Sequence, residues 1–345
     1  MNSLAILALV ASLYHTLNHA VFKALLFLGA GSVISSTHTR NMEEYGGLVK
    51  RMPMTAGFFL VGSMAISALP PFNGFFSEWM TFQSLFQGVL GLDLVSKIFF
   101  LLAIFALALT GGLAAACFVK AFGITFLARE RSEEAFHSKE IGNPSLFGMG
   151  ILAFLTVIFG MSFSQISGIL AKVSGGLSAF GNSAPAFSSL GASLNIGDKF
   201  SSLSAPFIFL SLLLSIVLVY IFSLTVYRDQ KISIGRTWDC GADLTPRMVL
   251  TATAFSRSII IVFNRLFNST RTIVKVTGSF GDNFPKSRMV LYDFFDVYKN
   301  YLYEPIAKFI TKISGHIKNI QSGDVNEYVL YLFLALITLL IFTTF

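Results

Sequence analysis

The stretch HTLNHAVFKALLFLGAG, His15 to Gly31, puts two histidines and a lysine inside an apolar run long enough to cross a membrane. His15, His19 and Lys23 recur at i, i+4 and i+8. On an α-helix each such step turns about 400°, so the three lie within an arc of roughly 80° and span about 12 Å along the axis. They form a polar stripe. Ser12 and Asn18 fall near the same face, while Val21, Leu25, Leu26 and Leu28 keep the rest of the helix apolar. A relay that hands protons through a membrane needs such a stripe. A lone intramembrane histidine serves equally well as a hydrogen-bonded packing residue; the addition of Lys23 favours function.

Composition agrees with a membrane setting. Of 345 residues, 54% are hydrophobic and 12% charged, and mean hydropathy is +0.70; a soluble domain carries roughly 25% charged residues. The apolar runs are long and continuous, whereas barrel strands alternate over about ten residues. The expected fold is all-α, a polytopic transmembrane helix bundle. Cys117 and Cys240 make no disulfide framework, and no Cys/His cluster has metal-ligand spacing, so no metal, haem or other cofactor is expected in this chain. Without a basic n-region or a clear cleavage site, the first run reads as a retained span. No phosphate loop or dinucleotide fingerprint is present, which argues against a nucleotide-driven pump.

Along the chain, the first run extends from about Leu4 to Ser36, followed by a polar loop, His38 to Arg51, and by Pro53, suited to a first helical turn. The second, Met54 to Leu92, holds LPPFNGF at its centre. Pro70 and Pro71 lack amide hydrogens and Gly74 relaxes the backbone, so this helix is expected to be discontinuous within the membrane, where freed backbone groups survive only against protein or a water-filled cavity. A third span covers Ile98–Ala128 and a fourth Leu146–Ala171, separated by a charged loop, ARERSEEAFHSKE, expected to be solvated. A Ser/Gly/Ala-rich connection, Lys172 to Ser202, leads to a fifth span, Leu203–Tyr227, and Tyr328–Phe345 closes the chain. The intervening segment, Arg228 to Glu327, holds 14 Lys/Arg against 9 Asp/Glu. Within it Val290 to Ile320 intersperses apolar residues with Lys299, Lys308, Lys312 and Lys318, as a lateral amphipathic helix at the interface does. The expected organisation is a bundle over 1–227, a basic interfacial segment over 228–327 and an anchor over 328–345.

If the broken run makes one crossing, Arg40, Lys50, Arg51, Arg129, Arg131, Lys139 and the basic segment share one side, against Lys97, Lys172 and Lys199 on the other. The basic side is expected to be cytoplasmic. Two crossings would spoil that asymmetry. The basic excess lies next to membrane spans and suits anionic lipids or acidic partner surfaces; nothing speaks for nucleic acid.

Three spans each carry an isolated charge: Lys23, Glu78 and Lys120. A charge near the bilayer centre costs at least about 2.5–3.5 kcal/mol, so such residues face a bundle interior or a water path. Glu78 directly follows the break, in the first turns of a second half-helix, where it either caps amides or relays protons. Lys120 stands about eight residues from the end of its span, within snorkelling reach of the interface. Cys117 and the WDCG at Trp238–Gly241 read as packing and turn residues, and His38, His137 and His316 as loop or surface residues of little signal.

HTLNHAVFKALLFLGAGSVI, MEEYGGLVKRMP, SALPPFNGFFSEW, GGLAAACFVKAFGITF and TWDCG, in that order, resemble the antiporter-like membrane subunits of the complex I and group 4 hydrogenase superfamily. The similarity covers about residues 10 to 265 and is strongest to the hydrogenase-4 component B and formate hydrogenlyase subunit 3 type. The resemblance implies proton translocation, or a sodium-coupled variant, driven by redox chemistry in a peripheral arm of iron–sulfur and nickel–iron chains, in a bacterial or archaeal cytoplasmic membrane. It implies a relay of His15, His19 and Lys23 leading by ordered water to Glu78 at the broken helix, with Lys120 matching a lysine of the hydrogenase branch. Family members carry two inverted repeats, and this sequence begins just before the second repeat's relay helix. A split or truncated subunit is therefore expected, assembled with other membrane subunits including a chain that supplies the first half-channel. A cation/proton antiporter subunit and a non-transporting structural subunit remain the alternatives.

Overall fold

The computed structural model describes residues 2–176, 187–190, 193–196, 201–227, 241, 245–263, 270–276, 287–293, 296, 298–318 and 323–344. They fall into two units, Met1–Phe255 and Ser256–Phe345. Trp238, Cys240, Lys199 and most of the Ser/Gly/Ala-rich connection lie outside the described residues. Among the described residues five helices are long and apolar enough to cross a membrane; the protein is integral to the membrane.

In the first unit, helix α1 (Asn2–Thr37) runs 36 residues, about 54 Å at 1.5 Å per residue. The polar loop after it has buried apolar residues: Tyr45 and Leu48 are buried, and two 3-10 turns, Met42–Glu44 and Leu48–Lys50, fold it against the bundle. Hydrogen bonds from Thr39 and Asn41 hold the Glu44 carboxyl below the usual carboxylate range.

The run expected to break forms two helices, α2 (Pro53–Ile66) and α3 (Asn73–Gly91). α2 ends in a Schellman arrangement. Ala68 takes the left-handed conformation, its amide bonds the Ala65 carbonyl at 3.1 Å, and the Leu69 amide bonds Met64 at 3.0 Å; Pro70 then stops the helix. Gly74 relaxes nothing by its φ angle. Its value is the missing Cβ, which would run into the Ala65 carbonyl oxygen.

Helix α4 (Leu94–Phe126) is antiparallel to both pieces at once. Phe126 meets Phe59 of α2 with ring centroids 5.4 Å apart, Gly111 faces Glu78, and Gly88 lies against the Phe100 ring. One unbroken helix of about 50 Å thus matches α2, the break and α3 end to end.

The charged loop that follows is mostly exposed, as expected, yet it is also pinned to the bundle. It contains a short helix α5 (Glu133–His137) whose Ala135 is buried, and Arg131 reaches inward to donate to the carbonyls of Tyr45 (2.9 Å), Ile124 (3.3 Å) and Leu250 (3.0 Å). Carbonyls left over at helix and loop ends are what a guanidinium satisfies. Glu140 accepts from the Met54 amide at 2.9 Å and from Thr55, capping α2.

The fourth expected span, Leu146–Ala171, is two helices, α6 (Asn143–Met161) and α7 (Phe163–Gly175), meeting at Ser162. The division lies next to a close approach: Gly160 abuts the α2–α3 break, where a Cβ would stand 2.6 Å from the Pro71 oxygen and 3.1 Å from the Asn73 nitrogen. α7 then packs Phe163 between Tyr14 of α1 and Phe76 of α3. An antiparallel three-stranded sheet, β1 (Phe187–Leu190), β2 (Ser193–Ile196) and β3 (Ser201–Ser204), precedes α8 (Ala205–Val226). α9 (Ala252–Val262) follows; its Thr253 amide donates to Glu43 at 2.7 Å.

The second unit contains a hairpin of β4 (Thr270–Val276) and β5 (Ser287–Asp293), then α10 (Glu304–Lys318) entered through a π-helical turn Lys299–Tyr303, and α11 (Val325–Thr344). The amphipathic helix is therefore shorter than Val290–Ile320. Residues 290–293 pair with Thr270–Ile273, because a β-branched partner, TRTIVKV, is available. On α10, Ile306, Phe309, Ile310, Ile313 and Ile317 form one exposed apolar row.

Candidate functional site

The site is built where α1 crosses the break. Phe22 packs against Ala65 and Phe72, and Leu26 lies over Gly62. This antiparallel register brings the α1 stripe onto the first turns of α3. Asn18 and Asn73, both fully buried, lock it: Asn18 Nδ2 donates to the Asn73 carbonyl at 3.2 Å and Asn73 Nδ2 donates to Asn18 Oδ1 at 3.1 Å. Asn73 Oδ1 is buried with no hydrogen-bond partner among the described residues. Replacing Asn18 by leucine leaves the Asn73 amide unpaired and is expected to cost about 1–3 kcal/mol. A lowered thermal midpoint of the detergent-solubilised protein is the check; an unchanged midpoint would show the pair to be idle.

One turn further, His15 Nδ1 lies 3.1 Å from Ser77 Oγ. Ser77 donates its hydroxyl hydrogen to the Gly74 carbonyl at 3.0 Å, so it accepts from His15, and the Nε2 of a neutral His15 is left as the proton acceptor. The His19 ring follows at 5.9 Å from His15, flanked by Phe22 at 5.4 Å. Lys23 is half-buried one turn beyond.

Glu78 does not continue from Lys23. It neighbours Ser77 but points to α4, where a Cβ on Gly111 would stand 3.7 Å from its carboxylate, an ordinary contact. Axially it is level with the His15 end of the stripe. The expected order, through Lys23 toward Glu78, is thereby reversed: from the loop end the groups run Lys23, His19, His15, with Ser77 and Glu78 at the far end. Lys120 is half-buried on α4, six residues before Phe126, which places it level with the end of α2. Pro70 and Pro71 lie in the break, held by Gly160 from one side, with Gly74 clamped against Ala65. Cys117, read as a packing residue, is exposed. Sequence reasoning passed over Asn73 and Ser77, which are ordinary polar residues until α1 lies against them.

Residues 2–109, which hold the stripe, the break and Glu78, match the family described as NADH:quinone oxidoreductase/Mrp antiporter, transmembrane. The chain carries this antiporter-type domain. Hydrogenase-4 component B of Escherichia coli K12 is 36% identical over 98% of this chain and 50% of its own length. Formate hydrogenlyase subunit 3 of the same organism is 35% identical over 74% of this chain and 40% of its own. The chain thus spans about half the length of the curated relatives it matches. A chain of the membrane-bound sulfane sulfur reductase, an archaeal respiratory membrane complex, superposes with TM-score 0.59 at 23% identity, over 96% of this chain and 47% of that one; it shares the fold. In the antiporter-type domain the stripe and the break are thus one packed unit.

Proposed function

We propose that the chain is a proton-translocating membrane subunit of a redox-driven hydrogenase or complex I-like assembly. The observation that carries this reading is the hydrogen-bonded junction of the α1 stripe with the helix break, His15 to Ser77 at 3.1 Å. Five groups able to hold or pass a proton, Lys23, His19, His15, Ser77 and Glu78, succeed one another along the antiparallel α1 and α3. Intramembrane ionisable groups are costly, and several in succession mark a proton or ion path. The names of the hydrogenase-4 and formate hydrogenlyase relatives support a redox assembly; in this reading the partners are other membrane subunits and a peripheral iron–sulfur and nickel–iron arm. In this reading the chain holds no cofactor, the basic loops and the segment 228–327 face the cytoplasm, and α10 lies along the membrane surface. A cation/proton antiporter is the second reading, supported by the Mrp antiporter description of the matched domain.

Glu78→Gln keeps the size and removes the titration. In vesicles of the intact complex, substrate-driven proton transfer is expected to fall at least about tenfold, with occupancy of the redox centres unchanged. Normal transfer would remove the relay, and sodium movement without proton movement would favour the antiporter.

A further inference from the structure

The i+4 row that carries His15, His19 and Lys23 does not stop at the lysine. Continued toward the loop end it reads Phe27, Gly31 and Ser35, and all three line a cavity of about 620 Å³ together with His38, His137 and Lys139. We infer that this cavity is the aqueous inlet of the relay, carrying water from the loop face down α1 to Lys23. This rests on the proton-transfer reading of the stripe and adds to it the side of access and the route.

Four observations support it. The row is geometrically continuous: Lys23 and Gly31 are eight residues apart, about 12 Å along the helix. At Gly31 a Cβ would meet no atom within 4 Å, so the wall is open where the row passes from polar groups to the cavity. Phe27, the single bulky residue between, is 73% exposed, so its ring is not packed into the bundle across the row. The rim is polar, with Ser36 Oγ and the Lys139 backbone joined at 2.8 and 2.9 Å and fixing the end of α1 to the loop before α6. Glu140, which also lines the cavity, is occupied in capping α2 and puts no free carboxylate across the path. A cavity of this size holds many waters, since each needs only about 30 Å³. A proton arriving on that water passes to the Lys23 amine, which releases one toward His19.

Accessibility tests this without relying on transport. In the assembled complex, with Cys117 and Cys240 replaced by serine, single cysteines at Gly31, Ser35 and Leu102 are treated with trimethylammonium-ethyl methanethiosulfonate, a membrane-impermeant cation that reacts only with hydrated thiolate. The loop face is identified by labelling of Arg40→Cys. Gly31→Cys and Ser35→Cys are expected to react from that face at least about tenfold faster than Leu102→Cys, which sits exposed on the apolar α4, and not to react from the opposite face. Gly31→Trp, which has room for its side chain, is expected to slow proton transfer about tenfold while the subunit still assembles. Unreactive cysteines at Gly31 and Ser35, or reaction from the opposite face alone, overturn the inlet even where Lys23→Ala stops transfer. Reactive cysteines with normal transfer in Lys23→Ala would instead sink the relay itself.

Discussion

Replacing Lys23 by alanine is expected to abolish proton transfer by the assembled complex while leaving its assembly intact. Lys23 is the one lysine on the α1 row, and it sits between the two histidines and the open, cavity-lined end of the helix. Its removal breaks the succession on that row: His19 is then left about 18 Å along the helix from Gly31 and about 24 Å from Ser35, too far for direct exchange. The side chain is half-buried, so the loss of packing is small and the subunit folds. A companion substitution separates charge from proton exchange. Arginine keeps the positive charge but does not release its proton; Lys23→Arg is therefore expected to fail like Lys23→Ala if Lys23 relays, and to work if it merely supplies a field. Dye-reported acidification of vesicles, with native-gel assembly as the control, reads both. Undiminished acidification in the alanine variant removes Lys23 from the mechanism.

Gly74→Val is expected to prevent the subunit from folding into its complex. The new Cβ would be driven onto the Ala65 carbonyl oxygen, and that oxygen is backbone at the end of α2. Neither side can yield easily: Ala65 accepts from the Ala68 amide in the helix-ending turn, and the chain just before Gly74 is pressed by Gly160 of α6. Overpacking of a site this tight costs about 3 kcal/mol or more, a large share of the stability of any domain. Gly112→Ala on α4, where nothing lies within 4 Å of the added Cβ, is the matched control and is expected to be tolerated. Recovery of the valine variant at wild-type level in the purified complex would show that the break can open without loss.

The α1 stripe was legible because helical periodicity alone aligns residues spaced by four, and the break because two prolines cannot donate amide hydrogens. Long apolar runs declared the bundle for the same reason: nothing but a helix satisfies its own backbone in hydrocarbon. Less was legible where the signal was a contact. The kink at Ser162 lies next to where Gly160 meets the break, and the loop after α4 is pinned by Arg131, whose carbonyl partners stand at Tyr45, Ile124 and Leu250. Neither partner set is adjacent in sequence.

By itself, then, the sequence determined which residues share a face and where a helix must stop, since both follow from local geometry and the chemistry of single residues. Only the tertiary structure decided the order in which these groups lie along the bundle. The antiparallel register of α1 against α2 and α3, set by Leu26 over Gly62 and by the Asn18–Asn73 pair, places Glu78 level with His15 and leaves Lys23 nearest the loops. Register between two helices is a property of their contact, and no periodicity within either one contains it.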